Sequence, residues 1–147
     1  MTKISVRPSV IVLKDNKLLV VHSTYNSEDC FLLPGGEIEG DETIYECAIR
    51  ETKEETNQDI EIVKVAYLND YITNFGRCLN IYLLGKLKNN SETTHLRDPC
   101  INENKIKKAE WIDIDKLLEL DFRPKELIER IKNDMPEFNV DDNFFAD

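Results

Sequence analysis

Two kinds of apolar pattern run along this chain. Val6 to Leu13 and Lys17 to Ser23 are short stretches rich in branched apolar residues, separated by Asp15-Asn16. They predict two strands joined as a hairpin. Phe31-Leu32-Leu33 is a short apolar run stopped by Pro34-Gly35-Gly36. Glu42 to Thr56 predicts a helix, with Asp41 as N-cap and Glu42 at the positive end of the helix dipole. Asn57 tolerates the left-handed conformation that ends a helix. Ile60 to Leu68 and Cys78 to Leu87 predict buried strands, and Ala109 to Ile114 a further strand. Two short helices are expected near Ile114 to Leu120 and Pro124 to Asn133. Residues 88–105 are polar and predict a long loop. The tail after about Met135 is acidic and aromatic, and no element is assigned to it. Strands flanking a central helix, followed by more helix, predict an α/β (α+β) sandwich.

On a wheel of about 100° per residue, Ile44, Ala48, Thr52, Tyr45 and Ile49 form a broad apolar arc. Glu51 and Glu55 fall at its edge, and Glu54 just beyond, beside Cys47. Glu46 and Arg50, spaced i to i+4, are expected to pair. Three carboxylates thus continue a core-facing stripe. On an exposed helix such crowding costs a few tenths of a kcal/mol. In a partly dry cleft it costs on the order of 4 kcal/mol per close pair, and a bound cation reverses the sign.

Composition narrows the functions available. The 147 residues suit one domain, 1–147, with a sizeable core. The formal charge of −10 argues against a nucleic-acid polymer as partner, which would need a basic surface. A small anionic substrate remains possible if a few Arg or Lys, or metal ions, supply local positive charge. The four cysteines, Cys30, Cys47, Cys78 and Cys100, form no CxxC and suit reduced cytosolic thiols. His22 and His95 are isolated, which disfavours a histidine metal site. No apolar run is long enough to span a bilayer, and no charged stretch followed by an apolar one opens the chain. The expectation is a cytoplasmic protein without a signal peptide or membrane association.

The stretch GEIEGDETIYECAIRETKEETNQ places Gly36, Glu42, Arg50-Glu51 and Glu54-Glu55 in a fixed register. It resembles the Nudix box of the Nudix (MutT-like) hydrolases, and LLPGGEIE before it and AEWIDIDKL after it also look like that family. Two positions depart: Asn57 stands where the family usually has Gly, and Gln58 where it usually has an aliphatic residue. The resemblance implies a Nudix fold, a mixed β-sheet between helices with a loop-helix-loop box. It also implies hydrolysis of the diphosphate linkage in a nucleoside diphosphate joined to another group. Carried over by position, Gly36, Glu51, Glu54 and Glu55 would bind Mg²⁺ or Mn²⁺. The resemblance likewise implies that Glu51, Glu54 and Arg50 would form the catalytic set, with Arg50 and Glu42 holding the loop and helix in shape. Oxygen donors suit such hard cations. Glu103 and Glu110 are outside candidates for a further ligand or base. The alternative is a non-catalytic Nudix-like module that senses a nucleotide. Family members often dimerise, and a homodimer is a possibility here.

Blander readings compete at several positions. The box glutamates alone would suit a solvated face, and Gly35-Gly36 alone an ordinary turn. Arg7 is a candidate grip for a phosphate or ribose, and equally a surface ion-pair partner. Tyr71, Phe75 and Arg77 are candidates to contact a base, although loop aromatics more often pack on the core. Trp111 and His22 are expected to be structural.

Overall fold

The structure, a computed structural model, describes residues 3–25, 28–74, 76–88 and 107–138. Strand β1 (Lys3–Ile11) lies parallel to β6 (Gly76–Leu87), which pairs antiparallel with β5 (Ile60–Thr73). The result is a mixed sheet in the order β1-β6-β5. The chain leaves it at Val12 and enters a second sheet through β2 (Leu13–Lys14), with β3 (Lys17–Tyr25) at its centre. Strands β4 (Glu28–Leu32) and β7 (Lys107–Asp113) both pair antiparallel with β3.

The expected hairpin is confined to β2 and β3. Its turn is as anticipated: Asp15 and Asn16 both take positive φ, the pair of conformations a two-residue hairpin loop requires. Most of the first strand, however, pairs elsewhere, because both of its edges are occupied. One edge holds β6. The other is sewn to the glycine loop: Val10 N–H donates to Pro34 O at 2.9 Å, Gly36 N–H to Pro8 O at 3.2 Å and Ile38 N–H to Val6 O at 3.2 Å.

Alternation along the strands divides the core into two layers. Val10, Val12, Leu19 and Leu83 pack with Ala48 of helix α1 (Ile44–Thr56). Ile11, Leu18, Val20 and Leu84 pack with Leu117 of α2 (Ile114–Leu117) and with Ile128 and Ile131 of α3 (Lys125–Phe138). Strands buried on both faces read as continuous apolar runs, which is why these segments lack clean alternation. The sandwich expected from the sequence is present, with helices on both sides of the strands.

Several boundaries differ from expectation. Helix α2 is a single turn, and α3 runs past Met135 because Phe138 extends its buried stripe. Strand β5 continues to Thr73, and beyond Tyr67 its side chains are exposed, so it is buried only over its first half. The polar loop with Glu103, and the tail with Phe144 and Phe145, lie outside the described residues. No helix among the described residues is long and apolar enough to cross a membrane.

Candidate active site

Helix α1 is capped by Thr43, not Asp41. Thr43 Oγ1 accepts from Glu46 N–H at 3.1 Å, and Glu46 Oε1 accepts from Thr43 N–H at 2.9 Å, a reciprocal capping box. Glu46 is thereby committed to the cap and does not pair with Arg50, contrary to the spacing argument. Arg50 reaches back to Glu42 instead, donating from Nε at 2.9 Å and from Nη2 at 2.8 Å. Such two-pronged pairs fix geometry as well as charge. Glu42 also accepts Glu39 N–H at 2.9 Å. The Arg50 guanidinium, ahead of that backbone bond, holds the Glu42 carboxyl down at about 2. Arg50 Nη1 also donates to Glu51 at 3.1 Å and to Glu54 at 3.2 Å. One guanidinium therefore ties the loop, the helix start and two box carboxylates together.

The buried face of α1 is rotated from the one the wheel suggested. Cys47, Ala48, Thr52, Glu55 and Thr56 are buried, whereas Tyr45 and Ile49 are 43% and 38% exposed. The glycine loop covers the carboxylate side of the helix and so redirects it. Glu55 is only 6% exposed and accepts Gly35 N–H at 2.9 Å. A Cβ on Gly36 would lie 2.6 Å from the Glu51 carboxyl carbon, and a Cβ on Gly35 would lie 2.4 Å from Pro8 O. At Gly35, against backbone, only glycine permits the approach, whereas a Cβ at Gly36 would displace the Glu51 carboxylate. Burial raises the proton affinity of Glu51, and the neighbouring Glu55 raises it further. Glu54 is the most open of the three, its side chain 41% exposed. The carboxylate face is thus dry at Glu51 and Glu55 and wetter at Glu54.

Cys47 sits beneath this loop, its thiol donating weakly to Gly36 O at 3.7 Å. Burial pushes that thiol up to about 12, so it stays protonated at neutral pH. The two departures from the box are both accommodated. Asn57 caps α1 with φ 59° and ψ 22°, and Gln58 is fully buried, its N–H donating to Thr56 Oγ1 at 3.2 Å.

Among the described residues, no three His, Cys, Asp or Glu side chains already converge tightly enough to hold an ion. The chemistry of the donors nevertheless fits a hard divalent cation: Glu51 and Glu55 carboxylates are drawn in beside the Gly35-Gly36 backbone, and Glu54 stands one step outside. Crowded, half-dry carboxylates of this kind are stabilised by a cation and strained without one.

A cleft of about 190 Å³ opens beside Gly35 and Glu55, lined also by Arg7, Asn80, Tyr82 and Arg123. Arg7 is thus brought to the cleft that Glu55 lines. Tyr71 is half exposed on β5, on the same sheet face as Cys78, its neighbour across the ladder. Arg77 is not brought there: it pairs in register with Ile72, on the opposite face, and its guanidinium lies 3.2 Å from Asp70. Phe75 is outside the described residues. Glu110 pairs with Val20, on the face away from α1. Trp111 packs on the α1 layer, and His22 stacks on Phe31 at 4.7 Å, both structural as expected. Asn80 escaped the sequence reading, although a lone carboxamide inside the apolar run LNIYLL was its signal.

A family model described as NUDIX domain matches residues 4–131. An ADP-ribose pyrophosphatase from Methanocaldococcus jannaschii is 49% identical over 47 residues, 31% of this chain and 28% of that protein, so the match spans little more than a quarter of the relative's length. Among solved structures, a NUDIX hydrolase from Nitrosomonas europaea superposes with a TM-score of 0.72 at 20% identity, covering 92% of this chain and 90% of the other. A MutT protein from Methanosarcina mazei superposes with a TM-score of 0.68 at 16% identity, covering 90% and 96%. These two likenesses show the fold.

Proposed function

The chain belongs to the NUDIX domain family, and from that premise we propose that it is a divalent-metal-dependent pyrophosphohydrolase. Its substrate is a nucleoside diphosphate linked to a further group. The observation that carries this reading is the pairing of dry carboxylates with the glycine loop, Glu55 on Gly35 N–H and Glu51 against Gly36.

Glu51, Glu54, Glu55 and the Gly36 carbonyl would hold Mg²⁺ or Mn²⁺. When bound, the metal supplies positive charge for phosphate oxygens and lowers the pKa of a bound water. The remaining work belongs to the chain. Arg50 and Glu42 are positioning residues: they clamp the loop to the helix so that the glycine backbone and carboxylates keep their spacing. The loop's backbone bonds to β1 hold that spacing from the other side. Arg7 at the cleft supplies local positive charge in a protein of formal charge −10, whereas Arg123 is already paired with Asp121 and Glu28.

A hydrolysis panel of nucleotide sugars, ADP-ribose, dinucleoside polyphosphates and oxidised nucleoside triphosphates tests the reading. Turnover of at least one compound is expected with Mg²⁺ or Mn²⁺ and none in excess EDTA. Undiminished turnover in EDTA would exclude the metal mechanism. No turnover, with tight nucleotide binding retained, would make the protein a nucleotide sensor.

A further inference from the structure

The ladder register places three polar side chains in one row across the mixed sheet. Arg7 on β1 pairs with Asn80 on β6, and Asn80 pairs with Asn69 on β5. Directly paired residues share a sheet face. This face is the one that carries Tyr82 and Tyr67 into the α3 layer, because Ser9, Tyr82 and Tyr67 form the next row inward. The row of Arg7, Asn80 and Asn69 is where that apolar layer ends. The β5–β6 hairpin thus places two carboxamides beside the guanidinium of the sequence-distant β1 at the lip of the core.

The row leads away from the carboxylate site. The cleft at Gly35 and Glu55 is lined by Arg7 and Asn80, and an adjoining groove of about 330 Å³ is lined by Asn69. The two share Tyr82, Pro124 and Leu127, so they adjoin. With strands spaced about 4.8 Å apart, Asn80 stands roughly 5 Å and Asn69 roughly 10 Å from Arg7 along the row. That is the reach of a nucleoside monophosphate from its phosphate to the far edge of its base.

Chemistry runs in the same order. Among the described residues Arg7 has no ion-pair partner, and a guanidinium suits a phosphate oxygen pair. Asn80 is held in place: its Oδ1 accepts weakly from Cys78 Sγ at 3.7 Å, and Tyr71 interacts with both Cys78 and Asn80. A carboxamide offers two donors and two acceptor sites, so Asn80 keeps capacity beyond these contacts. Side-by-side donor and acceptor on a carboxamide match the edge of a nucleobase.

We propose that Arg7, Asn80 and Asn69 form the platform that selects the nucleoside half of the substrate, Arg7 on its phosphate and the two carboxamides on the base edge. This rests on the hydrolase reading and adds its specificity-determining residues. Arg7 binds every substrate alike, and Asn80 and Asn69 rank the bases.

The test compares the parent with Asn80→Ala, Asn69→Ala and Arg7→Ala. Kinetics with Mg²⁺ use one phosphate linkage carried on adenosine, guanosine, cytidine and uridine. Binding of the four nucleoside monophosphates is measured by calorimetry in EDTA, and unfolding midpoints are recorded for all variants. Each Asn variant is expected to compress the spread of kcat/KM across bases about 10-fold, through KM, with kcat within about 3-fold of the parent. Arg7→Ala is expected to raise KM for all bases about 10-fold and leave their ranking intact. Unaltered base ranking and KM in both Asn variants, at parental stability, would overturn the platform. So would a changed ranking in Arg7→Ala. If the parent hydrolyses none of these compounds, the hydrolase reading fails on its own. The platform then stands if the parent binds monophosphates and the Asn variants bind them at least 10-fold more weakly. It falls if parent and variants bind alike or not at all.

Discussion

At the scale of single residues, Glu42 and Glu51 face opposite electrostatic situations on either side of Arg50. Glu42 has its carboxyl lowered from 4.5 to about 2, first by its hydrogen bonds with Arg50. A folded-state value below the unfolded one contributes stability that is fully present above about pH 4.5 and lost as pH falls toward about 2. Glu42→Gln is therefore expected to lose stability at neutral pH and to show a shallower decline between pH 4.5 and 2. Urea midpoints across that range check it; parallel curves for the two proteins would mean that the Arg50 pair does not couple to folding. Glu51 has the opposite sign, because burial raises its value. Its contribution is present at low pH and is lost as pH rises from 4.5 through the folded value. Glu51→Gln is accordingly expected to match or exceed the parent's metal-free stability at pH 7. It should also lower kcat/KM at least about 100-fold, about 2.7 kcal/mol of transition-state stabilisation. The charged register of the box was legible in the sequence because charge spacing on a helix is local. That Tyr45 and Ile49 face outward was not, because the loop that claims the other side of α1 comes from its packing against β1.

At the scale of elements, local chemistry was readable and partner choice was not. Asn57 at the end of α1 and Asp15-Asn16 in the turn were recognisable because their side chains tolerate left-handed backbone, and all three adopt it. The cap was expected at Asp41, and Thr43 takes it instead because Glu46 completes the capping box there. The pairing of β1 with β6 joins Lys3 to Gly76 in a parallel ladder. No local pattern encodes so distant a partner, and the short turn at Asp15-Asn16 favoured the nearer strand. The cap supplies a stability test. Asn57→Gly is expected to shift stability by less than about 1 kcal/mol, since both residues accept φ near 60°. Asn57→Val should destabilise more, because a β-branched residue resists positive φ. Equal urea midpoints for the two variants would show that the left-handed conformation is not required in solution.

At the scale of the whole molecule, the fold concentrates part of its negative charge in a place that solvent screens poorly. The formal charge is −10, and Glu51 and Glu55 are among the least exposed carboxylates described. Dispersed surface repulsion falls with any salt, since the screening length is about 10 Å at 0.1 M. Repulsion inside the glycine-loop site is screened much less, and only an ion that enters the site relieves it. The two effects separate in thermal unfolding at matched ionic strength. NaCl should raise the melting temperature of the parent and of Glu51→Gln by similar amounts. MgCl₂ should raise the parent further, because a ligand that binds only the folded state adds stability of RT ln(1 + [L]/Kd), about 2.7 kcal/mol at 100 times Kd. Glu51→Gln should lose most of that additional rise while keeping the NaCl response. Glu54→Gln should lose a smaller part, since Glu54 is 41% exposed and paired with Arg50. If MgCl₂ and NaCl act identically on the parent, the carboxylates hold no ion, and their crowding beside Gly36 is a cost of the fold that no cation offsets.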